Sequence, residues 1–399
     1  MDKRSEIMPM VPAAMRSKQN RIKVLHLITS LEVGGAQRGM LLGLSRFNGD
    51  QYEHVVCSIM DRMQMASQFR DVGIEVRTLG LNRKIDMFVG LRLRALLKEM
   101  RPDILHTYLL HANLLGRVIG RLVGIPVIIG SERTIGQAGL WGRLGTRLTN
   151  PLTDAVEVNS EIGGKAIGQG LGVPAEKVEV VRSGLDLLAF DTVSQRVRIR
   201  SEIGISDDQH LILCMGRLRP VKGVEYGLRA FASAHSQQPN IRLALAGEGD
   251  QREYLELLAQ ELGITQYISF LGVRNDVPEL LSAVDSLMMP SLNEGFPRTA
   301  IEAMAAGKPI IASNVGGTSE AIIDGVNGIL VRPADFDALS EAIVRLVLDA
   351  ELQVKLGRAG RERVAQNYSI EKYVTRLDEI YRHYFGLNAS TMPYRITQD

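Results

Sequence analysis

The chain holds 399 residues, 45% hydrophobic and 23% charged, with 39 glycines, 14 prolines and 2 cysteines. At roughly 150 residues per domain, this length predicts two to three domains with ample core-forming material, and the composition excludes collagen-like, wholly disordered and disulfide-scaffold classes. A net charge of +2 argues against a nucleic-acid-binding protein, although residues 1–190 carry 25 Lys and Arg against 18 Asp and Glu, and residues 191–399 carry 22 against 27.

Residues 1–20 are charged at both ends, lack the apolar centre of a secretory signal and read as a flexible tail. No stretch reaches the ~18 consecutive apolar residues of a spanning helix, so the expected location is the cytoplasm. Apolar runs follow at 22–28, 53–59, 74–79, 103–107, 126–130, 155–159 and 177–181, separated by stretches of helical period. Runs without alternation are the mark of parallel strands covered on both faces, so residues 21–190 are predicted to form a doubly wound α/β domain. Within it, Met87, Phe88, Leu91 and the leucines up to Leu97 interleave with Arg92, Arg94, Lys98 and Arg101, the pattern of an amphipathic helix with a cationic face. Such a face fits an anionic membrane surface, and it also fits a packed helix with a solvated basic edge.

After a polar joint near 190–209, strands are predicted at 211–216, 242–247, 267–272, 286–290, 309–313 and 328–331, with helices near 224–237, 251–262, 298–306 and 336–348. They make a second α/β domain over 191–367. Apolar residues at i, i+3, i+4 and i+7 spacing from Ile370 to Phe385 predict a helix over 370–385, with Ser369 as its N-cap. This helix, within 368–386, is expected to return to the first domain, and 387–399 form a second tail. Cys57 and Cys214 lie in apolar runs without metal-ligand spacing and read as buried free thiols.

Two Rossmann-like domains place a cleft between the carboxyl ends of their sheets, so chemistry is expected in the loops after strands. The loop SLEVGGAQRG (30–39) brings Gly34 and Gly35 to a helix N-terminus, where bare amides suit a phosphate, though a Gly-Gly pair also makes a plain turn. GRLRPVKG (216–223) sets Arg217 and Lys222 on a glycine-bounded turn, either a diphosphate clamp or a pair of solvated cations. In the segment 290–322, Glu294 follows a strand and Glu302 lies eight positions on, inside a helix. Carboxylates so placed can accept hydrogen bonds from sugar and ribose hydroxyls, and Gly295 lets the backbone approach a ligand. Glu302 also fits an ordinary helix-surface residue.

Gly216-Arg217-Leu218 with Lys222-Gly223, FLGVRND (270–276), EGFPRTAIEAMAAGKPIIAS with its two glutamates, and Gly316-Gly317-x-x-Glu320 follow one another in an order and spacing that resembles retaining GT-B glycosyltransferases of the GT4 type. The resemblance covers about 22–386. It implies the GT-B fold, two Rossmann-like domains facing across a cleft, and transfer of a hexosyl unit from a nucleotide-sugar, a UDP-sugar being favoured, to a hydroxyl of a cell-surface glycan or lipid-linked acceptor. By the same resemblance, Arg217 and Lys222 hold the donor diphosphate with help from Gly34 and Gly35. The 273–276 segment holds the nucleobase, with Arg274 as contact. Glu294 contacts the donor sugar beside the backbone of Gly295, Phe296 and Pro297, and Glu302 binds the ribose hydroxyls. Arg217, Lys222 and Glu294 are the implied catalytic set, acting by front-face attack with no metal and no cofactor.

Where many members carry a histidine after the fifth strand, this chain has Gly130-Ser131-Glu132-Arg133. Glu132 and Arg133 are therefore candidate sugar or acceptor contacts. His106 and His111, expected in the loop after strand 103–107, are further candidates, with packing or surface roles as the alternative. Ser183-Gly184 stands in place of a common Asn-Gly before the interdomain joint. A GT-B-like sugar-nucleotide epimerase, a phosphorylase and a non-catalytic nucleotide-sugar-binding regulator remain alternatives at this level.

Overall fold

A computed structural model describes residues 21–82, 86, 88–132, 139–191 and 195–386. The predicted tails, Met87 and Arg133 lie outside these residues.

Seven parallel strands form the first sheet: β1 (Ile22–Ile28), β2 (Tyr52–Met60), β3 (Glu75–Leu81), β4 (Ile104–Tyr108), β5 (Val127–Glu132), β6 (Ala155–Val158) and β7 (Val178–Val180). Their order is β3-β2-β1-β4-β5-β6-β7. The crossovers are α1 (Gly35–Leu44), α2 (Ala66–Asp71), α3 (Val89–Met100), α4 (Leu110–Val123), α5 (Leu140–Thr149) and α6 (Glu161–Leu171). Two short helices, α7 (Leu188–Asp191) and α8 (Arg196–Glu202), lead to the second sheet. It contains β8 (His210–Met215), β9 (Ile241–Ala246), β10 (Ile268–Gly272), β11 (Ser286–Met289), β12 (Ile310–Ser313) and β13 (Ile329–Val331), ordered β10-β9-β8-β11-β12-β13. Helices α9 (Val224–Gln237), α10 (Arg252–Glu261), α11 (Val277–Ala283), α12 (Arg298–Ala305), α13 (Thr318–Ala321) and α14 (Phe336–Leu348) cover it, and α15 (Ala350–Asn367) and α16 (Ile370–Phe385) complete the chain.

Because successive strand residues face opposite sides, the apolar runs feed two cores per sheet. In the first sheet Val24, Ile28, Val56 and Ile104 enter one core while Leu25, Leu27, Val55 and Leu105 enter the other. Cys57 and Cys214 are buried and free, and burial pushes both thiols up to about 12. In α3, Leu93 and Leu97 are buried while Phe88, Leu91, Arg94 and Lys98 are exposed, and Arg92 pairs with Asp86.

Ser369 caps α16 by accepting a hydrogen bond from the Lys372 amide. Ile370, Tyr373, Val374, Leu377 and Tyr381 then pack into the first sheet's core with Met40, Leu44 and Tyr52. The Leu185 amide donates to the Tyr368 carbonyl at 2.8 Å and the Leu185 carbonyl accepts from the Ile370 amide at 2.9 Å as the two interdomain crossings run side by side. Beneath α16 lies a polar seam. Tyr52 donates to Asp378 at 2.6 Å, and His106 Nδ1 and Nε2 sit 2.8 Å from Tyr381 Oη and 3.0 Å from Glu157 Oε2. This corrects the expectation for His106: it lies inside β4 and is fully buried, pinning the last helix rather than facing a cleft.

Helix α15 crosses α12 through glycine. A Cβ on Gly357 would stand 2.2 Å from the Gly307 carbonyl oxygen. Gly357→Ala is therefore expected to destabilise the chain by about 1–3 kcal/mol, overriding the ~1 kcal/mol that alanine adds to a helix. A urea midpoint shifted downward checks this.

Candidate functional site

Each sheet changes direction once, between β1 and β4 and between β8 and β11, and loops leaving such neighbouring strands open a crevice between them. The loops after β1, β8 and β11 are those that carry the sequence motifs.

After β1, Gly34 is the extended N-cap of α1, no side chain caps the helix, and its first turn holds no acid. The first amides of α1 thus keep their partial positive charge for an anion. A Cβ on Gly34 would lie 3.6 Å from Arg217 Nη2, and one on Gly35 3.9 Å from Arg298 Cδ, so this loop of the first domain stands against cations of the second. Arg217 is exposed and forms no ion pair among the described residues.

After β8, Lys222 ends a one-turn helix and Gly223 takes φ +59°, where a Cβ would sit 2.2 Å from the Pro290 carbonyl oxygen. Only glycine lets the β8 and β11 loops come this close. The approach joins their side chains: Lys222 Nζ donates to Glu294 Oε1 at 2.5 Å, and Ser291 Oγ donates to the same oxygen at 2.7 Å. Glu294 is buried, and its carbonyl accepts from the Gly317 amide at 3.0 Å, so the Gly316-Gly317 turn braces the glutamate loop. Phe296 is turned into the core against Tyr368 with ring centroids 5.4 Å apart, and Pro297 precedes α12.

Glu302, one turn into α12, accepts from Arg298 Nε at 2.9 Å. Burial raises its carboxyl above the ordinary glutamate value, opposed by the charges of Arg298 and Arg38. Arg38 comes from α1 and also donates to Asn275 Oδ1 at 2.9 Å, tying α1, Glu302 and the 273–276 segment together. Arg274 is committed elsewhere: Asp276 and Glu202 hold its guanidinium, and those carboxylates keep it charged.

Glu132 ends β5 and accepts from Asn113 Nδ2 at 2.9 Å and Arg117 Nη2 at 3.0 Å. Arg117 is fully buried and explains Gly130, where a Cβ would be 2.6 Å from Arg117 Nη2. Glu132 is thus a fixed carboxylate at the carboxyl edge of the first sheet. His111 is exposed in the first turn of α4. Arg133 lies outside the described residues.

Sequence reasoning missed the clasp between the two domains. Ser160 caps α6, accepting from the Gly163 amide at 3.0 Å and donating to the Gly295 carbonyl at 3.0 Å. Glu320 crosses from the second domain and accepts the amides of Glu161 and Ile162 at 2.9 and 2.6 Å. The Asn159-Ser160-Glu161 run after a strand was a readable cap signal, but its interdomain partner was not. Glu320→Ala is expected to cost about 1 kcal/mol of stability, and calorimetric unfolding of the variant beside the parent chain measures it.

Two family sequence models match the chain: glycosyltransferase family 4 over residues 33–187 and glycosyl transferases group 1 over residues 195–363. An uncharacterized glycosyltransferase of Methanocaldococcus jannaschii is 34% identical over 214 residues, 52% of this chain and 55% of that protein. The matched chain thus spans about half the length of that relative. A UDP-Gal:alpha-D-GlcNAc-diphosphoundecaprenol alpha-1,3-galactosyltransferase of Escherichia coli is 25% identical over 387 residues, 92% of this chain and 98% of its own. Among solved structures, Anabaena HepE in complex with UDP-glucose aligns with a TM-score of 0.81 at 22% identity, covering 91% of this chain and 100% of that one. That likeness shows the fold, GT-B.

Proposed function

The chain belongs to the glycosyltransferases of the GT4 type, and from that premise we propose that it moves a hexosyl unit from a UDP-sugar to a hydroxyl of a lipid-linked or cell-surface glycan, with retention and without a metal. One observation carries the reading: Lys222 and Glu294 are joined at the crevice of the second sheet, beside Arg217, which has no ion pair among the described residues and faces the glycine loop of the first. The UDP donor draws support from HepE, whose structure holds UDP-glucose, and from the E. coli relative, whose name specifies UDP-Gal and a diphosphoundecaprenol acceptor.

In this reaction the bond from sugar C1 to the β-phosphate oxygen breaks, and its electron pair leaves with UDP. The acceptor oxygen bonds C1 on the same face, and its proton passes to the departing phosphate oxygen. Arg217, Lys222 and the first amides of α1 stabilise the growing charge on UDP, as preorganised donors do in a partly dry cleft. Lys222 turns from Glu294 to the phosphate when the donor arrives, and the freed Glu294 accepts a sugar hydroxyl. Glu302 takes the ribose diol. Asn275 and the backbone around it flank the base, with Arg274 holding that loop through Asp276 and Glu202. Glu132 and His111 stand on the acceptor side. The acceptor class and the two buried free thiols support a cytoplasmic location. Among the described residues no helix is long and apolar enough to cross a membrane.

A screen of UDP-glucose, UDP-galactose and UDP-N-acetylglucosamine, each with and without a sugar-diphosphoundecaprenol acceptor and with and without EDTA, tests the proposal. UDP release that requires the acceptor is expected. Release without any acceptor supports the epimerase alternative instead, and loss of release on EDTA treatment contradicts the metal-free reaction.

A further inference from the structure

Helix α5 is built inside out. Its small residues face the protein: Thr146 is buried, and a Cβ on Gly145 would touch Leu114 of α4 at 3.3 Å. Its large residues face away, with Leu140 79%, Trp141 82%, Leu144 45% and Leu148 69% exposed. Leu140, Leu144 and Leu148 follow i, i+4 spacing with Trp141 one step around, so they form a single stripe on a helix of 3.6 residues per turn. A soluble helix has no use for that arrangement, because burying the stripe, not exposing it, is what stabilises an amphipathic helix.

The charge around the stripe is one-sided. Between Glu132 and Asp154 there is no Asp or Glu. Arg143 and Arg147 are both exposed, border the stripe, and form no ion pair among the described residues. An apolar ridge edged with arginine and free of acid is complementary to a surface that is apolar inside and anionic outside. A second copy of this chain would meet the ridge with the same arginines, cation against cation.

The ridge also lies at the right end of the domain. A helix that connects parallel strands runs back from the carboxyl edge of the sheet, so Leu140 and Trp141 begin α5 at the edge where Glu132 ends β5. That edge opens on the cleft.

We propose that α5 docks this protein on an anionic phospholipid bilayer, inserting Leu140, Trp141, Leu144 and Leu148 at the interface with Arg143 and Arg147 among the headgroup phosphates. The inference rests on the reading of a lipid-linked acceptor, which the docked helix would present to the cleft mouth from the bilayer beneath.

Trp141 is the chain's only tryptophan, so its fluorescence reports on this helix alone. The full chain is titrated with vesicles of phosphatidylcholine alone or mixed with phosphatidylglycerol, and UDP-glucose affinity is measured in parallel by calorimetry. On the mixed vesicles the emission shifts to the blue and is quenched by brominated lipid. Leu144→Glu with Leu148→Glu weakens partitioning by about tenfold or more, and each of Arg143→Glu and Arg147→Glu by about fivefold. All four substitutions lie on the surface, and the variants keep the parent UDP-glucose affinity. An emission unchanged by either vesicle overturns the proposal, as does equal binding to both vesicle types or a blue shift that tracks protein concentration without lipid, the sign of self-association. Vesicle binding with no affinity for UDP-glucose leaves the docking surface standing and counts against that donor instead.

Discussion

Lys222→Ala lowers kcat by about 10²–10³-fold while changing donor affinity little. The reason lies in what Lys222 does before the donor arrives. Its ammonium already holds an anion, donating to Glu294 at 2.5 Å. In the proposed reaction, donor binding exchanges that carboxylate for a phosphate, so the ground state gains one contact and gives up another. In the transition state the phosphate carries more charge than it did in the donor, and only there does the exchange become strongly favourable. Removing the lysine removes that difference. Stopped-flow binding of UDP-sugar beside steady-state turnover separates the two effects. A variant that loses affinity and turnover by the same small factor refutes the role assigned to Lys222.

Glu302→Ala produces the opposite split, weakening donor binding by about 2–3 kcal/mol and leaving the turnover of bound donor nearly unchanged. Glu302 lies on α12, and its partner Arg298 sits against Gly35 of the first domain. In the proposed role the carboxylate accepts from a diol that does not change during reaction, so its contribution is the same in ground and transition states. Burial adds a pH signature. The Glu302 carboxyl is held above the ordinary glutamate value by desolvation, with Arg298 and Arg38 opposing. Folding therefore raises its affinity for a proton: that proton stabilises the folded chain at low pH, and the stabilisation is lost as pH rises through the raised value. Donor binding runs the other way, failing as pH falls through the same window because a protonated carboxyl loses its charge as acceptor. Affinity measured against pH should show an acid limb above the ordinary glutamate range, and Glu302→Gln should abolish it.

The strands were legible because each is an apolar run that must be covered on both faces, and β1 was read to the residue. Helix α16 was equally plain, since its apolar residues keep helical spacing and Ser369 announces the cap. Helix α15 was not, because only Leu356 and Val364 of its buried face are large and apolar; the rest is Gly357 against the Gly307 backbone and Gly360 against the Met304 side chain, too sparse a stripe to read. His106 was misplaced for another reason. The predicted strand 103–107 already contained His106, but the partners that allow its burial, Tyr381 and Glu157, lie 275 and 51 positions away. Around the crevice, local spacing was enough to place Arg217 and Lys222 in the loop after β8, Glu294 in the loop after β11 and Glu302 on α12. It was not enough to see that Arg274 is consumed by Asp276 and Glu202, or that Ser160 and Glu320 clasp the domains, since those pairings exist only once both sheets are in place.

The most direct test is the stereochemistry of the product. The protein is given an α-linked UDP-sugar and a sugar-diphosphoundecaprenol acceptor, and the anomeric proton of the new glycosidic bond is read by NMR. Transfer to the face that the diphosphate leaves, as proposed, predicts an α-linkage, with its small coupling between H1 and H2. A β-linkage, with the large coupling of an inverted centre, would contradict the account.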